Sequence, residues 1–171
     1  VAPGSQTDVK LQGGDLAGAT QVWTGFLGKA ELAPDVKDNG TNTAQATWRF
    51  TVPADTSVGI HGVRIAGPNG VSPLKLIMVD DLASVAQTAG NTTLDKAQEL
   101  TLPVAADGAV ANLSRNYYRI KVAAGQKLSV EVIARRLGSA LDPLLRLLDA
   151  KGRELTYSDD EPGLRGDARL H

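Results

Sequence analysis

Cysteine is absent from all 171 residues, which removes disulfides, Cys-ligated zinc, iron–sulfur clusters, thiol nucleophiles and thiol switches. The compartment stays open on that count, because a chain without cysteine folds equally well in oxidising and reducing surroundings. Large aromatic rings are scarce as well: two Trp, two Phe and three Tyr serve the whole chain. Its interiors are therefore expected to be built on Val, Leu, Ile and Ala. Lys and Arg total 18 against 19 Asp and Glu, a formal charge of −1, and like charges never run five together. Neither nucleic acid nor an anionic membrane is an expected partner. No apolar run is long enough to span a bilayer, so no membrane insertion is expected. The opening residues, VAPGSQTDVKL, lack a charged n-region and an apolar h-region. Any export signal is expected to have been removed or to lie outside this stretch.

Histidine is nearly absent too, and His61 and His171 are the two copies. A Ser-His-Asp arrangement would have to lean on one of them. No His-Glu-x-x-His pattern offers zinc ligands, and no Gly-rich loop of nucleotide-binding type opens a helix. The sequence points away from an enzyme.

What the chain does have is turns, from 18 Gly and 8 Pro, and short alternating runs between them. Residues 44–52 place Ala44, Ala46, Trp48, Phe50 and Val52 on one side, the period-2 pattern of a half-buried strand that Pro53 ends. Strands are also expected at residues 9–11, 20–23, 30–32, 62–66 and 74–79, with turns at Gly13–Gly14, Asn39–Gly40 and GPNG. His61 reads as a residue just before a strand. Several short strands at such intervals argue for a sandwich. Two β-sandwich domains are expected, at residues 1–80 and 93–171, joined by an Ala-, Asn- and Thr-rich linker at 81–92.

In the second domain a helical turn is expected at Leu94 to Gln98, then strands at 100–104 and 117–122. The run Tyr118-x-Ile120-x-Val122, Ala124-Gly125-Gln126, Leu128-x-Val130-x-Val132 reads as a β-hairpin. A second hairpin joins Leu144–Leu148 to Glu154–Tyr157 through Asp149 to Gly152. Of the adjacent tyrosines, Tyr118 shares parity with Ile120 and Val122 and is expected inside, leaving Tyr117 exposed.

These motifs together resemble the bacterial pre-peptidase C-terminal domain. The likeness rests on Asn91, Thr93 and Ala97 in the leading segment, and on Tyr117 and Tyr118 before the Ala124–Gln126 turn. It rests also on GSALDPLLRLLDAKGRELTYSDD, with its Asp-Pro, apolar strand, Asp-x-x-Gly turn and Asp pair. The first domain resembles bacterial immunoglobulin-like domains of the IPT/TIG kind, through Pro53, Gly59, Val63 with Ile65, and Gly70 with Ser72. The resemblance implies an all-β chain, an Ig-like sandwich followed by a jelly-roll-like one, forming a non-catalytic structural or adhesive module. It would belong to a larger exported protein that is secreted, periplasmic or on the cell surface. Its partners would be other chains or domains of the same exported assembly. The alternative is a targeting module that holds a secreted hydrolase on a polysaccharide or protein polymer. Family members continue into further strands after the Asp-x-Arg-Leu motif, so the second sandwich is expected to be incomplete. Its open strand edge would invite another chain, including a second copy of this one.

Asp142, Asp159, Asp160 and Asp167, with Glu161 as an alternate, are the best candidate metal ligands, and calcium is the ion such oxygens suit. Asp142 precedes one hairpin strand and Asp159 follows the other, which puts both at one end. Alternatively Asp142 caps a turn before Pro143, and Asp159 and Asp160 lie in a solvated loop. Calcium-binding relatives carry acidic residues before the leading Asn; here Gln87 stands in that region. Arg135 and Arg136 are candidates to clamp a partner's carboxylate, or to bridge internally to Asp142 or Asp159. Tyr117 is the candidate aromatic contact for a sugar or protein partner.

Overall fold

Short strands separated by Gly- and Asn-containing turns make up this molecule, in a computed structural model that describes residues 1–171. The chain is all-β, without a barrel, and divides into two compact units, Val1–Asp81 and Leu82–His171. No helix is long and apolar enough to cross a membrane.

The first unit contains β1 (Gln6–Gln12), β2 (Gln21–Thr24), β3 (Lys29–Leu32), β4 (Gln45–Thr51), β5 (Gly59–Gly67), β6 (Gly70–Val71) and β7 (Lys75–Val79). One sheet runs β1-β4-β3; in the other, β5 has β2 on one side and β6 and β7 on the other, all antiparallel. The alternation of β4 places Ala46, Trp48 and Phe50 inward, nearly inaccessible to solvent, with Val52 just beyond. Leu16, Ala19 and Val63 complete their cluster, and Val9, Leu11, Val22, Ile65 and Ile77 pack around it from both sheets. A two-sided core of this kind is what makes the unit a sandwich. The GPNG turn falls where expected, joining Gly67 and Gly70 as register partners. His61, expected before a strand, lies inside β5, the most paired strand of its sheet. Its Nε2 sits 2.9 Å from the Ser57 carbonyl oxygen, and its ring meets Phe26 edge-on at 5.5 Å.

The second unit contains β8 (Ser84–Ala86), β9 (Gln98–Leu100), β10 (Ala105–Asp107), β11 (Tyr118–Ile120), β12 (Val130–Glu131), β13 (Leu144–Leu148), β14 (Glu154–Asp159) and β15 (Arg169–Leu170). Single 3₁₀ turns occur at Leu94–Lys96 and Arg135–Leu137. The segment expected as a linker contributes to this unit: β8 pairs in parallel with β10, and Asn91 is buried. Asn91 Nδ2 donates to the Tyr117 carbonyl (3.2 Å), while the Asn91 backbone carbonyl accepts from Tyr117 N (2.7 Å). The strand expected at 100–104 stops at Leu100, ahead of Pro103, which has no N–H for a ladder.

The hairpin expected around Ala124–Gln126 does not form as a ladder. Its turn is present, with Gln126 N donating to Ala123 O at 3.1 Å, but β11 pairs in parallel with β9 and β12 pairs with β15. Gly125, at φ 79°, is the one left-handed residue of that turn, which is type II geometry. Type II turns splay the flanking strands instead of matching their twist, so both are free to find distant partners. The β13–β14 hairpin does form, with a register shift at Leu147/Leu148. Asp149 Oδ1 accepts from the amides of Lys151 (2.8 Å) and Arg153 (2.9 Å), fixing its turn. Large hydrophobes are missing from this unit's fully buried set. Ala134, Pro143, Ala168, Asn91, Ser158 and Asp167 fill it instead, so polar ties carry much of its order.

Candidate functional site

The 3₁₀ turn at Arg135–Leu137 begins with amide groups that have no partner inside the turn. Asp167, fully buried, supplies one from 31–33 residues away: Oδ1 accepts from Ala134 N (3.0 Å) and Arg135 N (2.7 Å), and Oδ2 from Arg136 N (3.3 Å). The same Oδ2 accepts from Arg136 Nε at 2.8 Å. Arg136 extends to Glu131, hydrogen-bonding its Oε1 through Nη2, and reaches the Val132 carbonyl at 3.3 Å. Glu131 Oε2 in turn accepts from Arg169 Nε at 2.8 Å. Glu131 and Arg169 are register partners in the β12–β15 pair, so backbone and side chains tie the same two residues. The result is a chain of alternating charge, Asp167–Arg136–Glu131–Arg169.

Burial pushes the Asp167 carboxyl up, but the Arg136 guanidinium and the amides of Arg135, Ala134 and Arg136 outweigh it and hold it below its ordinary value. Glu131 behaves alike: burial raises it, and the hydrogen bonds from Arg136 and Arg169 bring it down. Arg136 is held charged, its two carboxylates overcoming the effect of burial.

The loop that delivers Asp167 is folded on itself. Glu161 N donates to Asp167 O (3.0 Å), Leu164 N to Glu161 O (3.0 Å) and Asp167 N to Leu164 O (3.1 Å). Asp160, at φ 50°, starts the bend and stays exposed, as does Asp159 at the end of β14. Asp142 is exposed and pairs with Arg135 at 3.5 Å. Thus the aspartates expected to share a calcium ion are not gathered: no group of three or more His, Asp or Glu side chains is arranged to hold a metal. The physical reason is clearest at Asp167, whose oxygens are spent on a guanidinium and three amides. Gln87 is spent as well, with Oε1 accepting from Ala109 N (2.9 Å) and Nε2 donating to Asn91 (3.3 Å).

Arg135 and Arg136, expected to clamp either a partner or an internal carboxylate, both have internal carboxylates, Asp142 for one and Asp167 with Glu131 for the other. Glu131 and Arg169 escaped the sequence reading. No local pattern marks either, because Glu131 holds the polar-face position between Val130 and Val132 and Arg169 lies 38 residues further on. The tyrosines are reversed from expectation: Tyr118 is exposed, and Tyr117 is half-buried with its backbone bound to Asn91.

In the first unit, the outer face of the β2–β5–β7 sheet carries an apolar surface. Val63 and Ile65 point into the core, so Ile60, Gly62 and Arg64 point out, with Trp23 beside Arg64, Leu76 beside Gly62 and Met78 beside Ile60. Trp23 is 51% exposed, Leu74 53%, Ile60 37% and Leu76 37%. The indole Nε1 of Trp23 donates to Gln21 Oε1 at 3.1 Å, which orients the ring. Comparison with protein-family models, curated proteins and solved structures finds no match to this chain.

Proposed function

We propose that this chain is a non-catalytic structural or adhesive module of a larger exported protein, working outside the cytoplasm by surface complementarity. The carrying observation is the outer face of the β2–β5–β7 sheet, where Trp23, Ile60, Leu74 and Leu76 stand in solvent over a fully formed core. Large apolar side chains exposed together on one sheet face are what a contact face presents. The charged groups of the second unit support the same reading, since they brace the fold internally. The family resemblance of residues 116–160 is its other support.

A second reading is favoured by one observation, the exposed indole of Trp23 held by Gln21. A ring fixed in this way stacks on the apolar face of a sugar, as a polymer-targeting module requires. Pull-down of the full chain on insoluble polysaccharide and collagen-like polymer, beside sedimentation in solution, separates the two. Concentration-dependent assembly without polymer binding supports the structural module. Saturable polymer binding lost in Trp23→Ala supports targeting. A chain that neither assembles nor binds polymer would sink both.

A further inference from the structure

β1 closes one side of the β1-β4-β3 sheet and pairs with β4 alone. It is seven residues long, contains no proline, and its register with β4 runs without a shift. Natural sheets blunt exposed edges with prolines, bulges, covering segments or charged side chains, and of these β1 has only the charges, Asp8 and Lys10. Its odd-numbered residues take the bonds facing β4, in phase with Val52 N donating to Ser5 O (2.9 Å) and Gly13 N to Ala44 O (3.0 Å). The amides and carbonyls of Gln6, Asp8, Lys10 and Gln12 therefore face away from the sheet.

Those same four residues present a self-complementary pattern. Turned about Val9, a second β1 running antiparallel sets Asp8 opposite the partner's Lys10 and Lys10 opposite the partner's Asp8. Gln6 then faces the partner's Gln12. The charge order of the existing sheet leads up to this: Glu31, Arg49 and Asp8 are successive register partners across β3, β4 and β1. Arg49 binds Asp8 through two hydrogen bonds of 2.8 and 3.0 Å. The next strand in that row should bring a cation, and Lys10 of a second copy does so. Lys10 is exposed and forms no ion pair within its own chain. On the inner side Val9 and Leu11 are only half-buried, and pairing would cover them.

We propose that two copies of this chain join edge to edge through β1, antiparallel and centred on Val9, doubling the three-stranded sheet. This deepens the structural-module reading and rests on it, by adding to the β2–β5–β7 face a second surface, the β1 edge, through which copies of the chain pair. Opposite charges directly across an antiparallel pair stabilise it and like charges oppose it, so charge changes decide the register.

The test is sedimentation velocity on the full chain from micromolar to millimolar concentration, with circular dichroism melts confirming that each variant is folded. The wild-type chain should pass from monomer to dimer. Lys10→Glu and Asp8→Lys should each weaken the dimer by at least about tenfold, because each sets like charges against one another. Mixing these two variants should restore association, since every opposed pair then holds one acid and one base. Amide hydrogen exchange at residues 8 and 10 should slow as concentration rises. A wild-type dimer indifferent to both substitutions would place assembly on another surface, overturning the β1 pairing while leaving the structural reading intact. A chain that stays monomeric throughout would overturn both.

Discussion

Asp167 and Arg136 form a hydrogen-bonded ion pair, Oδ2 to Nε at 2.8 Å, with the carboxylate wholly shielded from solvent. Arg136 is itself only 19% exposed. Removing one member of such a pair leaves the other charge without compensation. Asp167→Ala should therefore destabilise the second unit by about 3–5 kcal/mol. Denaturant unfolding followed by near-ultraviolet circular dichroism measures this, because Tyr117, Tyr118 and Tyr157 all report on that unit. Asp167→Asn should lose less, as an amide oxygen still serves some of the three N–H groups. Equal loss in both would mean that charge, and not capping, is what matters.

The same pair fixes how stability follows acidity. Asp167 titrates in the folded chain below its ordinary 3.8, and Glu131 below 4.5. A depressed carboxyl contributes its full stabilisation above the unfolded value and loses it as pH falls through the folded one. The melting temperature should hold from neutrality down to about pH 5 and then fall steeply below about pH 4. In Asp167→Asn the acid slope should be shallower. Thermal melts of both chains across that range are the check, and parallel curves would count against the assignment.

Trp23 and Phe50 belong to one unit but should respond oppositely to truncation. Phe50 is completely buried in the core cluster, so Phe50→Ala should cost about 3–5 kcal/mol. Trp23, half in solvent, should change stability by no more than about 0.5 kcal/mol on Trp23→Ala. Urea unfolding of each variant beside the wild-type chain, followed by far-ultraviolet circular dichroism, gives both numbers.

The β13–β14 turn offers a local test. Gly152 is left-handed at φ 79°, and a methyl there would come within 2.9 Å of Leu94 Cδ1. Gly152→Ala should cost about 1–2 kcal/mol from backbone conformation alone. Asp149→Ala should also lower the melting temperature, since it frees the amides of Lys151 and Arg153. Leu94→Ala should recover part of the loss in the Gly152 variant if the side-chain contact contributes.

Elements whose partners lie close in sequence were readable in advance. The strict alternation around Trp48 located β4 and its buried face, and the Asp149–Gly152 turn located β13 and β14, because each depends on neighbouring residues. The region from Tyr118 to Val132 looked equally clear and misled. Its alternation marks strands but says nothing about which strand lies alongside, and β9 and β15 are remote. Tyr118 is exposed although it shares a face of β11 with the half-buried Ile120, because parity sets the face and not how much of it is covered. Asp167 was visible as an acid but not as a cap, because no local pattern links it to amides more than thirty residues earlier. Likewise the expected calcium ligands were counted as carboxylates, with no local pattern to show that Arg135 would pair with Asp142 and Arg136 with Asp167.

The brace at Asp167 also has a consequence for how the chain is made. Arg136 leaves the ribosome 31 residues ahead of the carboxylate that secures it. The turn at Arg135–Leu137 and strand β12 thus emerge first and wait unsupported, while β15 and its arginine arrive together with the missing anion. The turn and β12 therefore gain their brace only once residues 167–169 are present, whereas β9 and β11 can pair without it.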